Sequence, residues 1–137
     1  LLTEPAVAIG IAGLEYVKEK IRHKNVVVVV SGGNNDIART EDVRERALLF
    51  EGRKHYFLIR FPQRAGALKE FLDVLGPGDD ITHFQYTKKN NRDTGPALVG
   101  LELTDKHQLD TLMAGMSARG IVYQHLNHDP ILFEMLV

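Results

Sequence analysis

The loop Pro62-Gln63-Arg64-Ala65-Gly66-Ala67-Leu68 carries the most usable chemistry in this chain. It joins a segment of alternating polarity to one of helical spacing. A glycine at such a junction exposes first-turn N–H groups, which together with the helix dipole accept a carboxylate. An amino-acid ligand brings one. The competing reading of Gly66 is a tight turn with no ligand. A second glycine-rich segment, Ser31-Gly32-Gly33-Asn34-Asn35-Asp36, directly follows Val26 to Val30. Open α/β sheets bind ligands beyond the carboxyl ends of their strands. There the glycines let backbone approach an anion or a ring, while Ser31 and the asparagines offer short hydrogen-bonding groups. The same residues also make an ordinary turn with an asparagine in left-handed dihedrals.

Six histidines raise the question of a metal. His125 and His128 are the only close pair, and on a strand positions i and i+3 point to opposite faces. Surface histidines, and no metal site, are expected. His55 and His83 fall on strands and read as polar or interface positions. Lys88, Lys89 and Arg92 share a loop with Asn90 and Asn91 and read as solvated. No stretch carries the basic-aromatic signature of an RNA-binding sheet, and the strand aromatics alternate toward the helices. With no cysteine, disulfides, thiolate nucleophiles and cysteine-ligated metals are excluded. The chain has 17 Lys and Arg against 18 Asp and Glu, a formal charge of -1. That balance supplies no field for steering onto nucleic acid or an anionic membrane. The apolar stretch Pro5 to Leu14 is too short to span a bilayer and has no basic flank. A cytoplasmic location is expected.

These groups need elements to position them, and 137 residues suffice for one domain or slightly more. Val7, Ile11, Leu14, Val17 and Ile21 recur at helical steps behind Pro5, which suits a first helical position. Gly10 and Gly13 weaken that helix unless something packs close. Val26 to Val30, apolar at every position, predicts a strand covered on both faces of a parallel sheet. No second such run exists, so the segment reads as the last βα piece of a larger sheet, in a chain cut from a longer polypeptide. A second helix is predicted from Thr40 as N-cap to Gly52, with Glu41 and Asp42 in its first turn and a thin stripe of Val43, Ala47 and Phe50.

From Lys54 the pattern changes. His55, Phe57, Ile59 and Phe61 alternate with Tyr56, Leu58 and Arg60, a half-buried strand ended by Pro62. Leu68, Phe71, Leu72 and Leu75 line one helix face before Gly76-Pro77-Gly78. Ile81 to Thr87 reads as a strand showing Phe84 and Tyr86 on one side, and Ala97 to Leu103 as a third. Asp105 with Gln108 is a capping box for a helix buried through Leu109, Leu112, Met113 and Met116. Gly120 closes that helix, and Ile121 to Leu126 is a fourth strand. The order βαββαβ is an α+β, ferredoxin-like module. The apolar tail, Ile131-Leu132-Phe133 with Met135, Leu136 and Val137, is expected to pack on something.

Taken together, Glu4-Pro5-Ala6, the valines running into Ser31 to Asp36, Glu45-Arg46-Ala47-Leu48-Leu49, Phe61 to Leu68 and Gly95-Pro96-Ala97-Leu98-Val99-Gly100 resemble the C-terminal part of biosynthetic threonine deaminase (threonine ammonia-lyase). The likeness is to the short form with one ACT-like regulatory domain, and it covers essentially the whole chain. It implies an end of a PLP-dependent α/β catalytic domain plus connector over 1–52 and an ACT-like domain over 53–137. It implies an enzyme that uses pyridoxal phosphate to convert threonine to 2-oxobutanoate and ammonia, on the way to isoleucine, inhibited by isoleucine with valine opposing. Ser31 would face the pyridine nitrogen in the intact enzyme. The family's cofactor lysine has no counterpart here, so no deaminase activity and no bound cofactor are expected of this chain alone. ACT-like modules pair, which implies a homodimer or a larger oligomer such as a tetramer. The effector would lie between Gln63, Arg64, Ala65, Gly66, Ala67 and Leu68 of one copy and Asp80, Ile81 and Thr82 of its neighbour. The alternative is a freestanding amino-acid-binding or dimerisation module with no enzymatic parent.

Overall fold

Alternation between Lys54 and Pro62 produces a strand because successive side chains point to opposite faces. In the computed structural model, which describes residues 5–30, 39–88 and 91–137, that strand is β1 (Lys54–Pro62), the centre of the molecule's one sheet among the described residues. Along the chain come α1 (Pro5–Ile21), α2 (Thr40–Glu51), β1, α3 (Ala67–Leu72), β2 (Asp80–Tyr86), β3 (Thr94–Glu102), α4 (Gln108–Ala118), β4 (Val122–His125) and α5 (Pro130–Leu136). The sheet order is β2-β3-β1-β4, antiparallel at every pairing. This is the expected ferredoxin-like βαββαβ module, with a helix added after it. The chain divides into two compact units, Leu1–Arg44 and Glu45–Val137.

The second unit holds the core. Phe57, Ile59 and Phe61 of β1 and Val99 and Leu101 of β3 meet Ala67 and Phe71 of α3 and Leu112 and Met116 of α4. Of the predicted α4 stripe, Leu112 and Met116 are buried and Leu109 and Met113 half-buried, and the capping box forms: Asp105 Oδ1 accepts from His107 N at 2.9 Å and Gln108 Oε1 from Asp105 N at 3.2 Å. Full burial of Leu112 and Met116 at about 2 kcal/mol each, with Leu109 and Met113 partly covered, outweighs any propensity term in so short a helix.

The other sheet face differs from the half-exposed surface that alternation predicts. Tyr56, Leu98 and Leu126 are buried there, with Leu49 of α2 and Leu132 and Phe133 of α5 packed on them. The apolar tail is therefore α5, begun by Asp129, whose carboxylate accepts from Leu132 N at 3.1 Å, and by Pro130. It packs only one side: Ile131 and Met135 remain exposed. Two other stripes also differ from expectation. In α2 the buried residue is Leu48, whereas Phe50 is 92% exposed and Val43 50%. In α3 the buried residues are Ala67 and Phe71, and Leu68 and Leu72 lie largely open. The cause is common to both. Helical spacing identifies apolar neighbours, but the angle at which a short helix meets the sheet decides which pair faces inward.

In the first unit α1 begins at Pro5 as expected, and Val28 Cγ1 lies 3.3 Å from where a Cβ at Gly10 would sit. Close packing thus explains Gly10; nothing approaches Gly13 within 4 Å. The strand expected at Val26 to Val30 is not formed, and Val27 is 88% exposed. An all-apolar strand forms only against neighbours on its edges and cover on its faces, and no partner strand meets it among the described residues. Ser31 to Asp36 lie outside the described residues.

Candidate functional site

β1 ends in Phe61 and Pro62, and the chain then turns through Gln63 to Gly66 into α3. Gly66 sits at φ 86° and ψ -14°, the left-handed region that glycine adopts without cost. No atom lies within 4 Å of a Cβ placed there, so its requirement is conformational and not one of space. Two contacts fix the loop. Arg64 donates to both carboxylate oxygens of Glu70, at 2.8 and 2.7 Å. Gln63 N donates to Asp93 O at 2.8 Å, and the Gln63 amide donates to Arg92 O. The paired charges hold the Glu70 carboxyl below its usual range and raise the Arg64 guanidinium. The loop is thereby strapped to its own helix and to the β2–β3 turn.

Beneath it lies a pocket of about 310 Å³. Gln63, Arg64, Ala65, Ala67 and Leu68 form one side; Phe61, Pro62, Phe84, Tyr86 and Lys88 form the other. Phe61 meets Phe84 and Tyr86 edge-on, with ring centroids 6.1 and 6.2 Å away. The floor is apolar, and the rim carries the Lys88 ammonium and the Arg64 guanidinium, the latter already paired with Glu70. Five of the residues singled out in the loop line this pocket, and Gly66 shapes the turn between them. Asp80, Ile81 and Thr82 do not line it. They begin β2, whose far end supplies Phe84 and Tyr86, and β2 is an edge strand, largely exposed. The contribution of Phe84 and Tyr86 was foreshadowed by their placement on one side of β2; that of Lys88 carried no signal beyond its charge.

At the opposite end of β1, His128 is exposed as expected, whereas His125 is half-buried and not a surface histidine, and His55, read as a polar or interface position, is inside. His55 is only 4% exposed. Its Nδ1 lies 3.2 Å from His125 Nε2, and its Nε2 lies 2.9 Å from Gly52 O. His125 also stacks on Phe57 and meets His128 edge-on. Burial first, then the neighbouring His55 and His128, pushes His125 down to about 4, opposed by a hydrogen bond to Asn127. Burial lowers His55 as well, against the Gly52 hydrogen bond. His83 is exposed. Among the described residues no three His, Asp or Glu side chains are placed to hold a metal ion, and no helix is long and apolar enough to cross a membrane.

The C-terminal regulatory domain of threonine dehydratase matches residues 45–136. Among curated relatives, the biosynthetic L-threonine dehydratase IlvA of Bacillus subtilis is 54% identical over 138 residues. That alignment takes in all of this chain and 33% of the relative. Those of Halalkalibacterium halodurans and Lactococcus lactis are 53% and 47% identical over the same shares. The chain therefore spans about a third of the length of these relatives. With its antiparallel four-stranded sheet, strapped β1–α3 loop and sequence match, the chain belongs to the family of the C-terminal regulatory domain of threonine dehydratase.

Proposed function

We propose that this chain is the isoleucine- and valine-sensing portion of a threonine dehydratase that converts threonine to 2-oxobutanoate and ammonia in isoleucine biosynthesis. The observation that carries the reading is the pocket under the Gln63–Leu68 loop, with Gly66 in the left-handed region and an apolar floor of Phe61, Phe84 and Tyr86. A branched aliphatic side chain would lie on the aromatic floor, and the carboxylate would take the first-turn N–H groups of α3 beside Arg64 and Lys88. The effector's ammonium needs an acid, and no acid lines this pocket. Two copies paired antiparallel along their β2 edges would bring the Asp80 end of one strand beside the Tyr86 end of the other. Asp80, Ile81 and Thr82 are therefore proposed as the second copy's half of the site, and a homodimer or tetramer as the working form. Effector binding shifts the catalytic portion only through unequal affinity for two domain arrangements.

The catalytic tail at 1–52, the regulatory domain at 53–137 and a cytoplasmic setting belong to the same proposal. Pyridoxal phosphate would supply the carbanion-stabilising chemistry in the rest of the enzyme. Ser31, the residue here that would face its pyridine nitrogen, lies outside the described residues, and the cofactor lysine is not expected on this chain. The family match and the identity through residues before Glu45 favour this reading over a freestanding module. Calorimetry and light scattering test it together. Millimolar isoleucine should give saturable heat, a higher melting temperature and a dimer mass. A dimer with no heat from isoleucine or valine would remove the sensing role while leaving the assembly.

A further inference from the structure

The second unit contains another hollow, of about 690 Å³, larger than the loop pocket. It opens where β1 begins, and His55 and Phe61 are six positions apart, so the two hollows lie roughly 20 Å from each other along the strand. Its ionisable lining groups are His55, Lys106, His107, His125 and His128, and no aspartate or glutamate lines it. His55 and His125 are paired with each other and neutral, so the anion-favouring groups are the exposed bases Lys106, His107 and His128, with no acid in the lining to oppose them. Leu49, Leu109 and Phe133 supply an apolar wall.

We propose that this pocket binds a small monocarboxylate with an apolar body and no ammonium group. The carboxylate would sit at the basic mouth formed by Lys106, His107 and His128, all exposed, and the hydrocarbon would lie against Leu109 and Phe133. An amino acid is disfavoured because its ammonium would be desolvated among bases with no acid to pair it. A metal ion is disfavoured because both ring nitrogens of His55 are already engaged, one by Gly52 O and the other by His125. Unlike the loop pocket, this cavity is complete within one copy, and its ligand need not compete with isoleucine.

The test is a histidine-resolved NMR titration of the 137-residue chain at pH 7 and constant ionic strength, with 3-methylbutanoate, isoleucine and inorganic phosphate as probes. 3-Methylbutanoate should shift the His125 and His128 ring signals saturably, and isoleucine and phosphate should not. Lys106→Glu, at an exposed position, should weaken that binding by about tenfold, whereas Gly66→Val should leave it unchanged. Four results would each overturn the proposal: no saturable shift, equal response to phosphate, indifference to Lys106→Glu, or loss on Gly66→Val. The last would assign the carboxylate to the loop pocket, and isoleucine binding measured separately keeps the two sites distinguishable.

Discussion

His55 Nδ1 lies 3.2 Å from His125 Nε2 across neighbouring strands, and this one contact orders two tautomers. Gly52 O can only accept, so His55 Nε2 carries the hydrogen that bonds it at 2.9 Å. In the neutral ring Nδ1 is then an acceptor, and His125 must donate from Nε2. A proton added to His55 Nδ1 would keep the contact only if His125 moved its own hydrogen from Nε2 to Nδ1. Burial, and for His125 the neighbouring His55 and His128, favours the neutral form of both rings.

Stability should therefore fall in mild acid. An unfolded histidine titrates near 6.5, and His125 in the fold near 4, so between these values the unfolded chain binds more protons. The contribution is complete above pH 6.5, is lost as pH falls toward about 4, and changes no further below that. With solvent screening it is on the order of 1 kcal/mol. Urea unfolding across pH 4 to 7 measures it, and His125→Gln should flatten the profile in that window. An unchanged profile would clear this pair of responsibility.

Gly100 should tolerate no side chain. A Cβ there would lie 2.8 Å from Tyr56 Cε1 and 3.0 Å from His83 Cβ, and Tyr56 is itself held edge-on by Phe133 at 5.5 Å. Gly100→Ala is expected to cost about 1 to 3 kcal/mol by overpacking, read as a lower denaturant midpoint. Gly120→Ala, where nothing lies within 4 Å but φ is 67°, should cost about 1 kcal/mol from backbone strain.

Glu45 ties α2 to the sheet through two partners, the Tyr56 hydroxyl at 2.5 Å and Lys54 Nζ at 3.1 Å. The Lys54 side chain is 5% exposed. Tyr56→Phe removes one hydrogen bond and should cost about 1 kcal/mol. Glu45→Ala also strands a buried ammonium and should cost about 2 to 3 kcal/mol. Hydrogen exchange in α2 should rise more for Glu45→Ala than for Tyr56→Phe. Equal effects would mean that the Lys54 contact contributes nothing.

At position 66 the backbone angle, and not space, sets the requirement. Gly66→Val should weaken isoleucine binding by at least about tenfold, because a β-branched residue resists positive φ. Gly66→Asn should retain most of the affinity, since asparagine accepts that region. Calorimetry on both variants separates the two. If valine at this position binds isoleucine as glycine does, the effector does not use this loop.

The sequence by itself determined the order of elements from Lys54 to Leu126, because periods of two and of about 3.6 residues and local turn chemistry act over a few residues. Lys54–Pro62 is a strand, Asp105 with Gln108 caps a helix, and Gly66 opens a turn for reasons contained in their neighbours. Only the tertiary structure decided which faces are used. Leu68 and Leu72 lie open while Ala67 turns inward, Tyr56 is buried because α5 returns over the sheet, and Phe84 and Tyr86 complete a pocket begun by residues twenty positions earlier. The pairing of His55 with His125, seventy positions apart, leaves no trace in spacing, since strand register is set by the whole sheet. Val26 to Val30 shows the same division from the other side: apolar composition proposes a strand, but a strand exists only where another backbone supplies its hydrogen bonds.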